Sequence, residues 1–149
     1  MQVAFLKKSI DRRSNMTNAL VGTWKLEQFY IEFDDTRERA ERYGANPVGY
    51  LVLTEERLIT LIAARERTTN ATADELLDSM IAYSGRYRLQ SDDCFITTVD
   101  AAWQPTWLGT EQVRYFKMDG EMLSAASPLR EEPKYPGRRF RGVAIWRKD

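Results

Sequence analysis

The sequence contains no histidine and a single cysteine among its 149 residues. The lack of histidine excludes Ser-His-Asp and Cys-His nucleophilic sites, HExxH zinc sites and any histidine proton shuttle. A lone cysteine cannot form an internal disulfide, which favours a reducing compartment. We therefore expect a cytoplasmic protein that holds neither a metal nor a cofactor.

The sequence also lacks an excess of charge and a long apolar run. Its 22 basic residues balance 22 acidic ones, so no net field attracts nucleic acid or an anionic membrane. No apolar stretch approaches the roughly 20 residues that span a bilayer. The apolar letters "VAFL" near the N-terminus are too few for a secretory signal. Neither nucleic-acid binding nor membrane insertion is expected.

Length and apolar content predict one domain with a core. The chain is 43% apolar, and its length leaves no room for a second domain. Residues 1–18 carry scattered charge without sustained periodicity, which predicts a flexible N-terminal arm and leaves Met16 as an alternative native start. The domain is predicted to occupy residues 19–149.

The rest of the sequence reads as a series of strands. Beyond Gly22 apolar and polar residues alternate, and the phase inverts near Gln28 or Phe29, which predicts a β-bulge. The pair Asp119-Gly120 between two strand-sized segments is typical of a two-residue hairpin turn. Eight strands with short sequential connections predict an all-β, closed antiparallel up-and-down barrel, because closure removes exposed sheet edges.

One segment has helical spacing instead. Thr72 and Glu75 form a capping box, and the apolar residues of 76–81 fall on one helical face. The pattern predicts one short helix over 73–81, which would lie across an end of the barrel as a mobile lid or as a fixed plug.

The stretch "ALVGTWKLE" places Gly22 and Trp24 as G-x-W at the head of the first strand. This spacing resembles the signature of the lipocalins and the wider calycin superfamily. The segments "LVGTWKL", "NPVGYLVLT", "AYSGRY", "WLGTEQVRYF" and "GVAIW" resemble, in this order, the bacterial and fungal lipocalin-like domains. The resemblance extends from Val21 to Arg147 and implies a barrel whose interior takes a small ligand.

The same resemblance implies a structural role for Gly22 and Trp24 at the barrel floor, the alternative being direct ligand contact. In calycins the tryptophan packs across the floor beneath a basic side chain from the last strand. This implies Arg147 as the partner of the indole, with Arg141 or Arg139 as substitutes. Such stacking is physically reasonable, because a guanidinium is attracted to the face of an indole ring.

Alternation also selects the side chains that point inward. In "TEQVRYFKM" the inward face carries Gln112, Arg114 and Phe116. An inward arginine can orient a carboxylate, an enolate or a carbonyl oxygen, and the alternative is a structural ion pair. In "AYSGRYRLQ" the residues Tyr83 and Tyr87 are candidate cavity walls, and the alternative is ordinary barrel packing.

Two tryptophans flank Pro105 in a segment that must be a loop or a bulged strand. Trp103 and Trp107 either line the mouth and face an apolar ligand or seal the core beneath the loop. Cys94 is interpreted as a buried thiol without a catalytic partner.

Three hypotheses follow. The first is binding of one small, largely apolar, lipid- or polyketide-like metabolite inside the barrel. The second is a cofactor-free isomerase or cyclase for a reactive polyene or ketone, an activity that some lipocalin-like proteins have. Arg114, Gln112 and Tyr83 would then orient or polarise a carbonyl group. The third is a solid barrel that self-associates as a homodimer.

Overall fold

A computed structural model describes residues 13–149 of the chain. The strands in this part are β1 (Gly22–Phe33), β2 (Arg39–Ala40), β3 (Val48–Leu53), β4 (Arg57–Ala63), β5 (Met80–Ser91), β6 (Cys94–Ala102), β7 (Glu111–Asp119), β8 (Met122–Ala126) and β9 (Phe140–Lys148). Residues 13–20 are helical and are called α1. A second helix, α2, spans Ala73–Asp78, and a 3₁₀ turn, η1, spans Pro105–Trp107. Residues 1–12 of the predicted arm lie outside the described part of the chain. Residues 13–18 belong to α1.

The strands form one closed antiparallel sheet. Strands β1 and β3 to β9 pair in sequence order, and β9 returns to pair with β1. Alternate side chains of each strand therefore point into an enclosed interior. The predicted eight-stranded up-and-down barrel is confirmed, and β2 is an additional two-residue strand beside β1.

The bulge in β1 is confirmed, one residue before the predicted position. The register against β9 shifts between Leu26 and Gln28, so Glu27 is the extra residue. Because one residue is inserted, the alternation changes phase at this point. Apolar side chains both before and after Glu27 can therefore point inward. The predicted hairpin turn is also shifted by one residue. Asp119 pairs with Met122, which makes Gly120 and Glu121 the turn.

The beginning of β1 closes one end of the barrel, which is called the floor. Trp24 is 1% exposed, and its indole Nε1 donates to the carbonyl oxygen of Leu20 in α1 at 2.9 Å. Lys148 lies over the same ring, with Nζ 4.7 Å from the ring centroid, and donates to the carbonyl oxygen of Val21 at 2.6 Å. Gly22 has φ +143°, and a Cβ there would lie 2.7 Å from this ammonium nitrogen. A side chain at position 22 would thus be strained and would crowd the lysine.

The resemblance implied Arg147 as the basic side chain at this floor, but the structure places Lys148 there. Alternation along β9 turns Trp146 and Lys148 inward, so Arg147 lies on the outer surface, where its Nε is 2.6 Å from Glu27. The two substitutes are at the opposite end of β9, where Arg139 and Arg141 pair with Asp34.

Replacing Lys148 by Met should lower the free energy of unfolding by about 1 to 2 kcal/mol, because a charged hydrogen bond and a cation–π contact are lost. The matched variant Arg147→Met, on the neighbouring position, should lose no more than about 0.5 kcal/mol, as is usual for an exposed ion pair. Equilibrium unfolding in urea measures both values. Equal losses would show that Lys148 does not seal the floor.

Candidate functional site

The interior contains a cavity in the half of the barrel that lies away from Trp24. Its volume is about 80 Å³. Leu51, Leu58 and Ile62 contribute apolar walls from β3 and β4. Because small-molecule sites usually measure about 300 to 1,000 Å³, this space alone fits only a group of a few heavy atoms. The polar part of its lining comprises Thr60, Tyr83, Arg114, Ser127 and Arg130.

A vestibule of about 270 Å³ adjoins the cavity at the mouth of the barrel. Its walls come from η1, from the start of β7 and from the loop after β8, and include Trp107 and Gln112. Arg114, Ser127 and Arg130 line both spaces. A molecule that passes from the vestibule into the cavity therefore meets these three side chains at the boundary.

Arg114 faces this boundary and has no ionic partner in the described part of the chain. Its position in β7 is opposite Phe95 of β6, and alternation directs it inward. The guanidinium carbon is 5.9 Å from the ring centroid of Tyr83, and Nη1 donates to the carbonyl oxygen of Val113 at 2.8 Å. Within residues 13–149 no carboxylate forms a salt bridge with it. The structural ion pair considered as its alternative role is therefore not found in this part of the chain.

Arg130 reaches the same boundary from the loop between β8 and β9. Two backbone hydrogen bonds of 2.9 Å tie it to Phe140, and its guanidinium carbon is 5.3 Å from that residue's ring. It also lies 6.0 Å from the ring of Trp107. Its Nε is buried without a hydrogen-bond partner among the described residues. Burial lowers the pKa of Arg130, and the neighbouring charges of Arg42 and Arg114 lower it further.

Two arginines of this region, Arg42 and Arg130, pair with the same acid, Glu132. Glu132 accepts from Arg42 at 2.7 Å and lies 3.2 Å from Arg130. Burial raises the pKa of the nearby Tyr43, so this phenol stays neutral. Arg114 adds a further guanidinium beside Arg130, and Glu111, which also lines the vestibule, pairs with Arg88. Among residues 13–149 this leaves an excess of positive charge at the mouth.

Two aromatic rings form the wall next to the arginines. Tyr83 is 7% exposed, and its ring centroid is 5.3 Å from that of Trp107. Pro105 opens the short η1 turn that positions Trp107. Of the two tryptophans predicted near the mouth, Trp107 lines the vestibule, while Trp103 is 41% exposed on the outer surface. Trp103 donates from Nε1 to the carbonyl oxygen of Leu77 in α2 at 3.1 Å, which holds it outside.

Two other predicted ligand contacts, Tyr87 and Phe116, lie in the closed half of the barrel, on the side of the floor. The ring of Phe95 packs 6.0 Å from Tyr87 and 5.5 Å from Phe116, so the three fill the closed half of the barrel. The hydroxyl of Tyr87 donates to the carbonyl oxygen of Thr54 at 2.6 Å. Neither Tyr87 nor Phe116 lines the cavity or the vestibule.

Gln112 stands further out than Arg114 on the same face of β7. Its amide donates to the hydroxyl of Thr110 at 2.9 Å, and it lines the vestibule but not the cavity. The three candidates for carbonyl polarisation are thus split between two spaces, with Arg114 and Tyr83 at the cavity.

The helix α2 is shorter than predicted. Its capping box between Thr72 and Glu75 is present. It ends at Asp78 instead of residue 81, because Met80 and Ile81 pair with β4 and open β5. No residue of α2 lines the cavity or the vestibule. Whether it acts as a lid or as a plug stays a prediction.

The outer face of β3 to β6 carries a row of exposed apolar side chains, on the opposite side of the sheet from the cavity. The row consists of Tyr50, Ile59, Leu61 and Trp103. An open groove of about 340 Å³ runs between the last three. Self-association as a homodimer stays a prediction, and this row is one surface available for it.

The described residues offer no metal site and no membrane-spanning helix. Among residues 13–149 no three Asp, Glu or Cys side chains come together as metal ligands do. No helix within the same range is long and apolar enough to cross a bilayer. Cys94 is buried and free, and burial raises the pKa of its thiol.

The comparison with known families agrees with this architecture. The family model of the lipocalin-like domain matches residues 21–149. No curated protein matches the sequence. The matched range includes all strands of the barrel and both boundary arginines.

Sequence reasoning found Arg114 through alternation but missed Arg130. The segment "SPLREE" has no periodicity that would direct one of its side chains inward. Arg130 is positioned by backbone pairing with Phe140. A buried arginine in an irregular loop has no local sequence signal.

The Arg114→Met variant should be as stable as the wild type or more stable. Its guanidinium is taken partly out of water and lies near Arg130, and among residues 13–149 no carboxylate pairs with it to offset either cost. Breaking a buried ion pair would instead cost about 3 to 5 kcal/mol. Unfolding in urea decides between these results, and a loss in the second range would show that Arg114 is structural.

Tyr87→Phe should lower the free energy of unfolding by about 1 kcal/mol near neutral pH, because the bond to Thr54 is lost. Burial and Glu55 raise the pKa of Tyr87 to about 12, above the value of about 10 for an unfolded chain. The fold therefore favours the neutral phenol, and this contribution is complete below about pH 10 and declines as the pH rises toward 12.

The difference between the wild type and Tyr87→Phe should thus shrink between about pH 8 and about pH 11. Urea unfolding at both pH values measures it, with Tyr50→Phe on the exposed face as the control. A difference that grows with pH would contradict the assigned hydrogen bond.

Proposed function

Because the chain belongs to the lipocalin-like domain family, we propose that its barrel binds a small, largely apolar molecule that enters through the mouth between η1 and the β8–β9 loop. The observation that carries this proposal is the meeting of the cavity and the vestibule at Arg114, Ser127 and Arg130. Concave, mostly apolar spaces with a few polar groups are the usual sites for small ligands.

The shape of the two spaces limits the size of this molecule. A group of a few heavy atoms fits the cavity of about 80 Å³, and the rest of the ligand lies in the vestibule of about 270 Å³. Phe95 and Trp146 bound the cavity on the side of the barrel floor, so a long chain cannot extend toward that floor without moving them. Compact ligands such as a single ring or a short chain fit this arrangement best.

Catalysis in the same cavity stays a prediction. A cofactor-free isomerase or cyclase would use Arg114 and Tyr83, which face the same cavity, to polarise a carbonyl group. Arg114 and Tyr83 both line the wall of the cavity. This position supports binding directly and does not require a reaction.

The Ala125→Leu variant tests whether the ligand occupies the cavity. Ala125 is 7% exposed and lines the cavity, so a larger side chain there fills the space. We expect the affinity for the best binder among short fatty acids, fatty alcohols and naphthalene derivatives to fall about tenfold, since several apolar contacts are lost. Tryptophan fluorescence follows the titration.

The matched control is Ala126→Leu, one residue further along β8 on the opposite face. It adds the same side chain outside the barrel, where Ala126 pairs with Tyr115 and Val143. Circular dichroism and urea unfolding show that both variants fold. If Ala125→Leu bound the probe as well as the control did, the ligand would not lie in the cavity. If the wild type bound no compound of the set, the proposed function would fail.

A further inference from the structure

On the basis of the proposed binding function, we propose further that the ligand is an organic acid, whose carboxylate is held between the guanidinium groups of Arg114 and Arg130 at the boundary of cavity and vestibule. The inference concerns the class of the ligand, not only its place. It rests on the charge, the hydrogen-bonding capacity and the packing of these two side chains.

The charge at the boundary is unbalanced. Glu132 is already engaged by Arg42 at 2.7 Å and by Arg130 at 3.2 Å. Glu111 at the edge of the vestibule pairs with Arg88 on the outer surface at 3.1 Å. No carboxylate of the described residues forms a salt bridge with Arg114, so its charge is uncompensated in this part of the molecule. Partly buried arginine is stabilised by an anion, and a bound carboxylate supplies one.

The two arginines also have free donors. A guanidinium carries five N–H groups. Among residues 13–149, the guanidinium of Arg114 donates from Nη1 to the carbonyl oxygen of Val113 and makes no other hydrogen bond. The Nε of Arg130 is buried and has no hydrogen-bond partner within the same residues. A buried donor without an acceptor is costly, and a carboxylate can accept several such hydrogen bonds at once.

Packing holds both guanidinium groups where they are. Arg114 lies 5.9 Å from the ring centroid of Tyr83, and Arg130 lies 6.0 Å from that of Trp107. These two rings contact each other at 5.3 Å, so they form one support for both arginines. Phe140 adds a second ring beside Arg130, at 5.3 Å. Side chains restrained in this way lose little further freedom when an anion binds.

The apolar part of the acid has a place on either side of the boundary. Ile62 and Trp146 are among the walls on the cavity side, and Trp107 and Leu129 are among those on the vestibule side. An acid with a compact apolar body can therefore place its carboxylate on the arginines and its body against these walls. A neutral molecule of the same body would leave the excess positive charge as it is.

The test compares acids with alcohols that carry the same apolar body. The pairs are 2-naphthoic acid with 2-naphthalenemethanol and octanoic acid with octanol, titrated into the full chain at neutral pH with calorimetry or tryptophan fluorescence as the readout. We expect each acid to bind about tenfold or more tightly than its alcohol, as a charged hydrogen bond provides. The affinity of the acid alone should fall as salt is added.

Variants assign this preference to the boundary. Arg114→Met should remove most of the preference for the acid over its alcohol, while Arg114→Lys should keep part of that preference. The matched control is Arg86→Met, which removes an exposed arginine paired with Glu56 on the outer surface, away from both spaces. It should keep the full preference for the acid. The salt dependence of the wild type requires no variant, so the inference is tested even if Arg114→Met folds poorly.

The outcomes separate this inference from the proposed function. Equal binding of acid and alcohol would overturn the organic-acid ligand and leave the binding function standing. Tighter binding of the acid that survives both in Arg114→Met and at high salt would also overturn it, since the preference would then come from elsewhere. If neither acids nor alcohols bound, the binding function would fail and the inference would fail with it.

Discussion

The pairing of β1 with β9 is the contact on which the rest of the structure depends. It joins the first strand to the last over Trp24 to Phe33 and converts a row of sequential hairpins into a barrel. Closure is possible with apolar residues on the inside along all of β1 because the bulge at Glu27 inverts the alternation at mid-strand. The same closure brings Lys148 across Trp24, so that the end of the chain seals the floor.

Because side chains fill the barrel near its floor, the candidate site lies at the opposite, open end. Large rings fill the closed half, where Tyr87, Phe95 and Phe116 pack together. More of the interior stays empty in the open half than in the closed half. Loops supply part of its walls. Polar and charged side chains collect there, with Arg114 from a strand and Arg130 from a loop at one boundary. The chain is neutral as a whole, so the positive mouth results from local placement alone.

Alternation in the sequence was sufficient to predict the strands and the inward orientation of Arg114, because both follow from a period of two within one strand. The barrel was predicted from eight strands in sequence, because closure removes exposed sheet edges. It also carried the information that Arg147 faces outward, since Trp146 next to it is apolar and the face changes at every residue. The resemblance to calycins implied Arg147 at the floor, whereas alternation turns the neighbouring Lys148 toward Trp24. By contrast, Arg130 and the exposure of Trp103 depend on contacts between distant segments, which no local pattern contains.

Native mass spectrometry of the protein purified from its own host, followed by denaturing extraction of any bound molecule, tests the central claim most directly. The account predicts one small organic acid per chain, held through Arg114 and Arg130 and lost in the Arg114→Met variant. A stoichiometric neutral molecule would contradict the role of the arginines. A bare chain mass that persists after incubation with short fatty acids and aromatic acids would contradict ligand binding itself.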